Sequence, residues 1–139
     1  MKALFVVDMQ NDFISGALGS KAAEATVAVI KQKIINANNK GYKVIATRDI
    51  HPENYLDDVE GKLVPRHCIR GENGSEITSE FSSLSFDLII DKNNFMADPH
   101  EQLEIKNALE GVDEIEICGL CADICVVSNA LMLRMLCPN

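Results

Sequence analysis

The chain has 139 residues, 47% hydrophobic and 24% charged, a balance that fits an ordinary globular protein and excludes a disordered or fibrous one. Thirteen Lys and Arg against 21 Asp and Glu give a formal charge of −8, and no two Lys or Arg are adjacent, which argues against binding to a nucleic-acid backbone. Apolar runs such as residues 3–7 fall far short of the roughly 20 residues that span a bilayer.

This length buries about two-thirds of the surface of the unfolded chain, so one domain over residues 1–139 is expected to fold without metal or disulfide support. Five cysteines are an odd number, and a reducing compartment keeps them as thiols. The N-terminal apolar run meets Asp8 at once and offers no signal-peptide cleavage region, so a cytoplasmic location is expected.

In chain order, residues 4–7 read as a first strand, 22–39 as a helix with Ala25, Val29, Ile30, Lys33 and Ala37 at helical spacing, and Asn38 to Gly41 as its stop. Residues 43–47 form a second strand, and 48–75 a polar loop carrying two of the three His. Loops of that length within a compact domain are usually functional. A third strand covers 87–90. Next come a helix over 99–109, marked by Leu103, Ile105 and Leu109, a strand over 114–118, and a largely apolar helix over 123–136. Strands this apolar, alternating with helices, predict a parallel sheet covered on both faces: a doubly wound, Rossmann-like, three-layer α/β/α domain. Residues 137–139 look like a turn toward a further strand, so a final strand and helix are expected to be missing.

The chemistry collects at strand ends. Asp8 lies just past the first strand, Asp49 and His51 past the second, Lys92 past the third and Cys125 a few residues past the fourth. Open α/β sheets bind ligands at those carboxyl ends, where strand order reverses. Cys125 is expected in the first turn of the last helix, where free N–H groups and Lys92 would lower its thiol pKa, and Asp8 can carry its proton. The plain alternative is a small buried hydrophobe on an apolar helix. Cys118, Cys121 and Cys125 could also suggest a zinc cluster, but no second Cys pair or nearby His completes it. Asp49, His51 and His67, with Glu60 between them, offer two imidazoles and two carboxylates for zinc, iron or manganese. Asp57 competes with Glu60 as a ligand; His100, Asp12, Asp57 and Asp58 otherwise read as solvated surface.

Five stretches, in order, resemble the isochorismatase-like cysteine hydrolases, and within them the nicotinamidases, also called pyrazinamidases. They are Leu4 to Phe13, Ala46 to Pro52, Pro65 to Cys68 with Gly71 and Gly74 behind it, Asp91-Lys92, and Gly119 to Val126. The resemblance implies a triad in which Cys125 is the nucleophile, Asp8 the general acid and base, and Lys92 the group holding the thiolate. It implies a non-proline cis peptide bond at Leu120-Cys121 and an oxyanion hole made by the N–H groups of Cys121 and Cys125. It implies a metal, zinc first among the candidates, on Asp49, His51, Glu60 and His67, and a substrate pocket of Phe13, Phe95 and Leu120.

The activity implied is hydrolysis of a small amide, with nicotinamide deamidated to nicotinate as part of NAD salvage. Cys121 and Ala122 stand where the family commonly has a small residue and Thr, Val64 where nicotinamidases often have an aromatic, and the family continues beyond residue 139. A related cysteine hydrolase acting on another amide or carbamoyl compound is the second reading. A truncated, inactive domain that pairs through its open last strand, as in a homo-oligomer, is the third. Nucleic acid and membrane are not expected partners.

Overall fold

A computed structural model describes residues 1–57 and 59–137. Its sheet has the strands β1 (Lys2–Val7), β2 (Lys43–Asp49), β3 (Leu88–Lys92) and β4 (Glu114–Gly119), all parallel, in the order β3-β2-β1-β4. The expected doubly wound α/β architecture is present. β1 is central, and every residue after Lys2 is buried because both of its faces are covered. The two-residue period sends Ala3, Phe5 and Val7 into one core layer and Leu4 and Val6 into the other. Each fully buried side chain of the size of Phe5 contributes about 1.5–3 kcal/mol.

The helices are α1 (Asn11–Ile14), α2 (Lys21–Asn39), α3 (Pro99–Ala108) and α4 (Val127–Leu136). α2 covers the Leu4–Val6 face; α3 and α4 cover the other. The Ser20 hydroxyl caps α2 by accepting from the Ala23 N–H at 3.0 Å. The buried stripe of α2 is Ala23, Ile30, Ile34 and Ala37, whereas Ala25 and Val29, one position round the helix from it, face outward. In α3, Asp98 and Glu101 form a capping box around Pro99, Ile105 is buried, and Leu103 is exposed instead of buried.

Two strand ends also differ from expectation. β2 and β3 run on to Asp49 and Lys92, so these residues close the strands instead of following them, and they are register partners. The last helix does not start at residue 123: a π-helical turn, Ala122–Val126, precedes α4. Residues 50–87 form a long connection with 3-10 turns at Tyr55–Asp57, Glu60–Lys62, Asn73–Ser75 and Ser79–Phe81. Single bridges fasten it at Gln10 to Ile77 and His51 to Ile69.

Strand order reverses beside β1: the chain moves from β1 to β2 to β3, then crosses to β4 on β1's other side. The crevice at the carboxyl ends of β1 and β4 is therefore the predicted ligand position. Among the described residues β4 pairs on one side only, with Ile115 and Ile117 half-buried. Asp58 and the end of the turn expected over 137–139 lie outside the described residues. No described helix is long and apolar enough to cross a membrane.

Candidate active site

Asp8 is the first residue after β1 and is fully buried, with φ +48, a left-handed conformation that non-glycine residues rarely adopt. Thr47 on β2 holds it there. Its carbonyl accepts from the Asp8 N–H at 3.2 Å, and its hydroxyl donates to Asp8 Oδ1 at 2.7 Å. From the end of β3, Lys92 Nζ donates to Asp8 Oδ2 at 2.7 Å and to the Asn94 carbonyl at 3.0 Å. Burial works against the Lys92 ammonium, but the Asp8 and Asp49 carboxylates more than offset it, and its pKa is raised. Burial also raises the Asp8 carboxyl, with Lys92 opposing, so Asp8 is a stronger base than an exposed aspartate.

β4 delivers Cys125. At Gly119, φ is +131 and an added Cβ would lie 2.1 Å from the Val7 carbonyl oxygen, so only glycine lets β4 end against β1. The Leu120 N–H then donates to that same carbonyl at 2.9 Å, and the Leu120-Cys121 peptide bond is cis, where the resemblance places it. Cys125 follows in the π-helical turn, 4% exposed. π-turns of this kind recur at functional sites.

The thiol pKa moves opposite to expectation. Burial raises it most, and the Asp8 and Asp49 charges and a hydrogen-bonding interaction with Asp8 add to that against the opposing Lys92 ammonium. Burial thus favours the thiol form of Cys125, with the Asp8 carboxylate beside it. Cys118 packs in the core layer under α2 while Cys125 packs in the other, so the sheet separates them and the three-cysteine zinc cluster does not form. All five cysteines are free.

Asp49, His51, Glu60 and His67 converge, one ligand atom from each within 4.8 Å of the others. Asp49 Oδ2 lies 2.9 Å from His51 Nε2 and 3.1 Å from His67 Nε2, and Glu60 Oε1 lies 3.8 Å from His51 Nε2. Burial pushes the Asp49 carboxyl up, but His51, His67 and Lys92 together bring it down to about 2. Two details suit a cation. Asp49 Oδ1 is buried without a hydrogen-bond partner, with Lys92 Nζ at 3.9 Å. His67 Nδ1 lies 2.7 Å from the Pro65 carbonyl, which can only accept, so the ring is held with Nε2 facing Asp49 Oδ2. Two imidazole nitrogens and two carboxylate oxygens converging on one point are a donor set that fits a divalent metal. Asp57 is exposed and outside this group, and His100 is solvated as expected.

Of the expected substrate residues, Phe13 is buried with its ring edge-on to His67 at 5.4 Å, Phe95 is 40% exposed, and Leu120 is half-buried in the cis turn. Motif reading passed over the residues that tie these parts together. Gln10 is fully buried: its Nε2 donates to the carbonyls of Asp49 (2.7 Å) and Ser75 (2.8 Å), and its Oε1 accepts from the Asp49 N–H (2.7 Å). Asn129 Nδ2 donates to the carbonyls of Cys125 (2.8 Å) and Phe95 (3.0 Å), joining the Cys125 turn to the Phe95 segment. Asp12 is a correction. Instead of a solvated charge, it is a clamp whose Oδ2 accepts from the Cys68 N–H at 2.8 Å, next to His67. Its carboxylate fills the space that a Cβ at Gly74 would need.

The isochorismatase domain family matches residues 2–136. A nicotinamidase of Escherichia coli is 27% identical over 159 residues, an alignment covering 94% of this chain and 75% of the relative. The crystal structure of the pyrazinamidase of Pyrococcus horikoshii in complex with zinc superposes with a TM-score of 0.80 at 31% identity, covering 98% of this chain and 79% of that one. The N-carbamoylsarcosine amidase of Thermoplasma acidophilum superposes with a TM-score of 0.83 at 29% identity, covering 98% and 77%.

Proposed function

Because the chain belongs to the isochorismatase family, we propose that its site hydrolyses a small amide through a thioester on Cys125, and that the amide is nicotinamide, deamidated to nicotinate and ammonia. One observation carries the reading. The buried Lys92–Asp8 pair sits beside Cys125, and the same lysine lies 3.9 Å from Asp49, so nucleophile, base and metal ligands share one crevice.

The Cys125 sulfur bonds to the amide carbon as Asp8 takes the thiol proton. The N–H groups of Cys121 and Cys125 receive the developing oxyanion, an interaction that strengthens in a site closed to water. The C–N bond breaks, and Asp8 returns its proton to the departing nitrogen, which leaves as ammonia. Asp8 then takes a proton from water as the hydroxyl attacks the thioester carbon; the C–S bond breaks and the sulfur recovers that proton. Lys92 stays an ammonium throughout and keeps Asp8 in place.

Asp49, His51, Glu60 and His67 would hold a divalent ion, zinc in this reading, which supplies a Lewis-acidic anchor for the ring nitrogen of the substrate. Phe13 and Phe95 flank the ring, where aromatic contacts contribute about 1 kcal/mol each. The product feeds NAD salvage, and the reading places the enzyme in the cytoplasm.

Similarity to the carbamoylsarcosine amidase favours a second reading, hydrolysis of a carbamoyl compound at the same cysteine. Ammonia release from nicotinamide and from N-carbamoylsarcosine, before and after chelation and with zinc restored, separates the two. Nicotinamide turnover that falls with chelation and returns with zinc is the expected result. Turnover of the carbamoyl compound alone overturns the nicotinamide assignment.

A further inference from the structure

Tyr55 touches three of the four residues of the metal-ligand group. Its ring lies against the His51 ring with centroids 4.1 Å apart and a tilt of 35°, and meets the His67 ring edge-on at 5.2 Å. Its hydroxyl donates to Glu60 Oε1 at 3.2 Å, the same oxygen that faces His51 Nε2 at 3.8 Å. The side chain is 1% exposed, although its neighbours Asn54 and Leu56 are exposed. A buried aromatic between exposed neighbours needs a reason to be there, and among the described residues its ring and hydroxyl meet three of the ligands.

The backbone supports the same relation. Glu60 opens a short 3-10 turn, Glu60–Lys62, packed back onto the turn Tyr55–Asp57 that carries the tyrosine. A Cβ at Gly61 would lie 2.0 Å from the Tyr55 carbonyl oxygen, so glycine is what lets the two turns meet. Glu60 is also the one ligand reaching the site from an isolated turn. Asp49 ends a strand, the backbone of His51 exchanges hydrogen bonds with residues 68 and 70, and the ring of His67 is bonded to Pro65. A carboxylate with no sheet behind it loses side-chain freedom on binding a cation, and a fixed donor on one of its oxygens removes part of that cost in advance.

We infer that Tyr55 is a positioning residue for the metal centre: its hydroxyl aims the Glu60 carboxylate at the ion, and its ring braces His51 and His67. The inference rests on the metal reading above. Tyr55→Phe keeps the ring and removes only the hydroxyl, so it isolates the action on Glu60. Metal-stripped wild type, Tyr55→Phe, Glu60→Gln and the double variant are titrated with zinc against a chromophoric chelator. Cobalt is then bound to each and its visible absorption recorded, and thermal unfolding of the stripped proteins reports any general loss of structure.

Tyr55→Phe is expected to bind zinc about tenfold more weakly, within the range usual for an outer partner of a metal ligand. Its cobalt spectrum shifts toward that of Glu60→Gln, its stripped form unfolds where wild type does, and the double variant binds no more weakly than Glu60→Gln alone. Wild-type zinc affinity and an unshifted cobalt spectrum in Tyr55→Phe would overturn the role of Tyr55 and leave the metal reading standing. So would a loss that is equally large with Glu60 already replaced. Failure of the wild type to bind zinc would overturn both.

Discussion

Two parts of the site are built by different means. Asp8, Asp49 and Lys92 stand at the ends of three parallel strands, and the register that pairs Asp49 with Lys92 and sets Thr47 beside β1 also sets their separations. His51, Glu60 and His67 lie on the irregular connection after β2, where no ladder fixes them, and single side chains take over: Gln10, Asp12 and Tyr55. Sheet register places the Asp8–Lys92 ion pair with little more than the Thr47 hydroxyl to help it. A loop-borne ligand set needs a buried donor or acceptor for nearly every arm.

That contrast can be broken at either end. The largest effect is expected from Lys92→Met, which leaves the Asp8 carboxylate buried without its cation; urea unfolding at neutral pH should show a loss of about 3–5 kcal/mol. A loss below 1 kcal/mol would mean that the strand-end pair is not held as described. Next is Gln10→Ala, which strips partners from the Asp49 N–H and from the carbonyls of Asp49 and Ser75. About 2–4 kcal/mol is expected, with proteolytic cutting of residues 50–75 ahead of global unfolding. Cutting that begins elsewhere would show that the amide does not hold the connection.

A smaller effect, and one that sharpens the comparison, concerns pH. Iodoacetamide reacts with the thiolate, and burial among carboxylates raises the Cys125 thiol above its ordinary value, so the thiolate appears only at higher pH than in the unfolded chain. Between pH 8 and 9, peptide mapping should find Cys125 labelled more than about tenfold more slowly in the native protein than in urea, the gap closing as pH rises. Native labelling as fast as in urea would place the resting sulfur as thiolate.

Much of this was legible in the residues. Apolar strand runs gave the sheet, and Asp8, Asp49, His51, His67, Lys92 and Cys125 stand at the carboxyl ends or on the connection where motif spacing put them. What was not legible depends on long-range partners. Asp12 reads as a solvated charge because nothing local shows that Cys68, 56 residues on, will offer it an N–H. Tyr55 reads as one residue of a polar loop until the rings of His51 and His67 close around it. Ala25 and Val29 have helical spacing, but the α2 stripe that meets the sheet lies one position away, a phase that only packing decides. The thiol pKa goes the other way because burial of Cys125, which only packing reveals, together with the nearby carboxylates outweighs Lys92.

The central claim is that Cys125 carries the acyl group, and trapping that intermediate tests it most directly. Zinc-loaded protein is mixed with nicotinamide, acid-quenched within the first turnover and analysed by intact and peptide mass spectrometry, with Cys125→Ala in parallel. The account predicts one nicotinoyl group on the peptide containing Cys125, none in the variant, and ammonia release reduced by at least about 10⁴-fold in the variant. Ammonia released at an undiminished rate by Cys125→Ala, or an adduct on another residue, would contradict it.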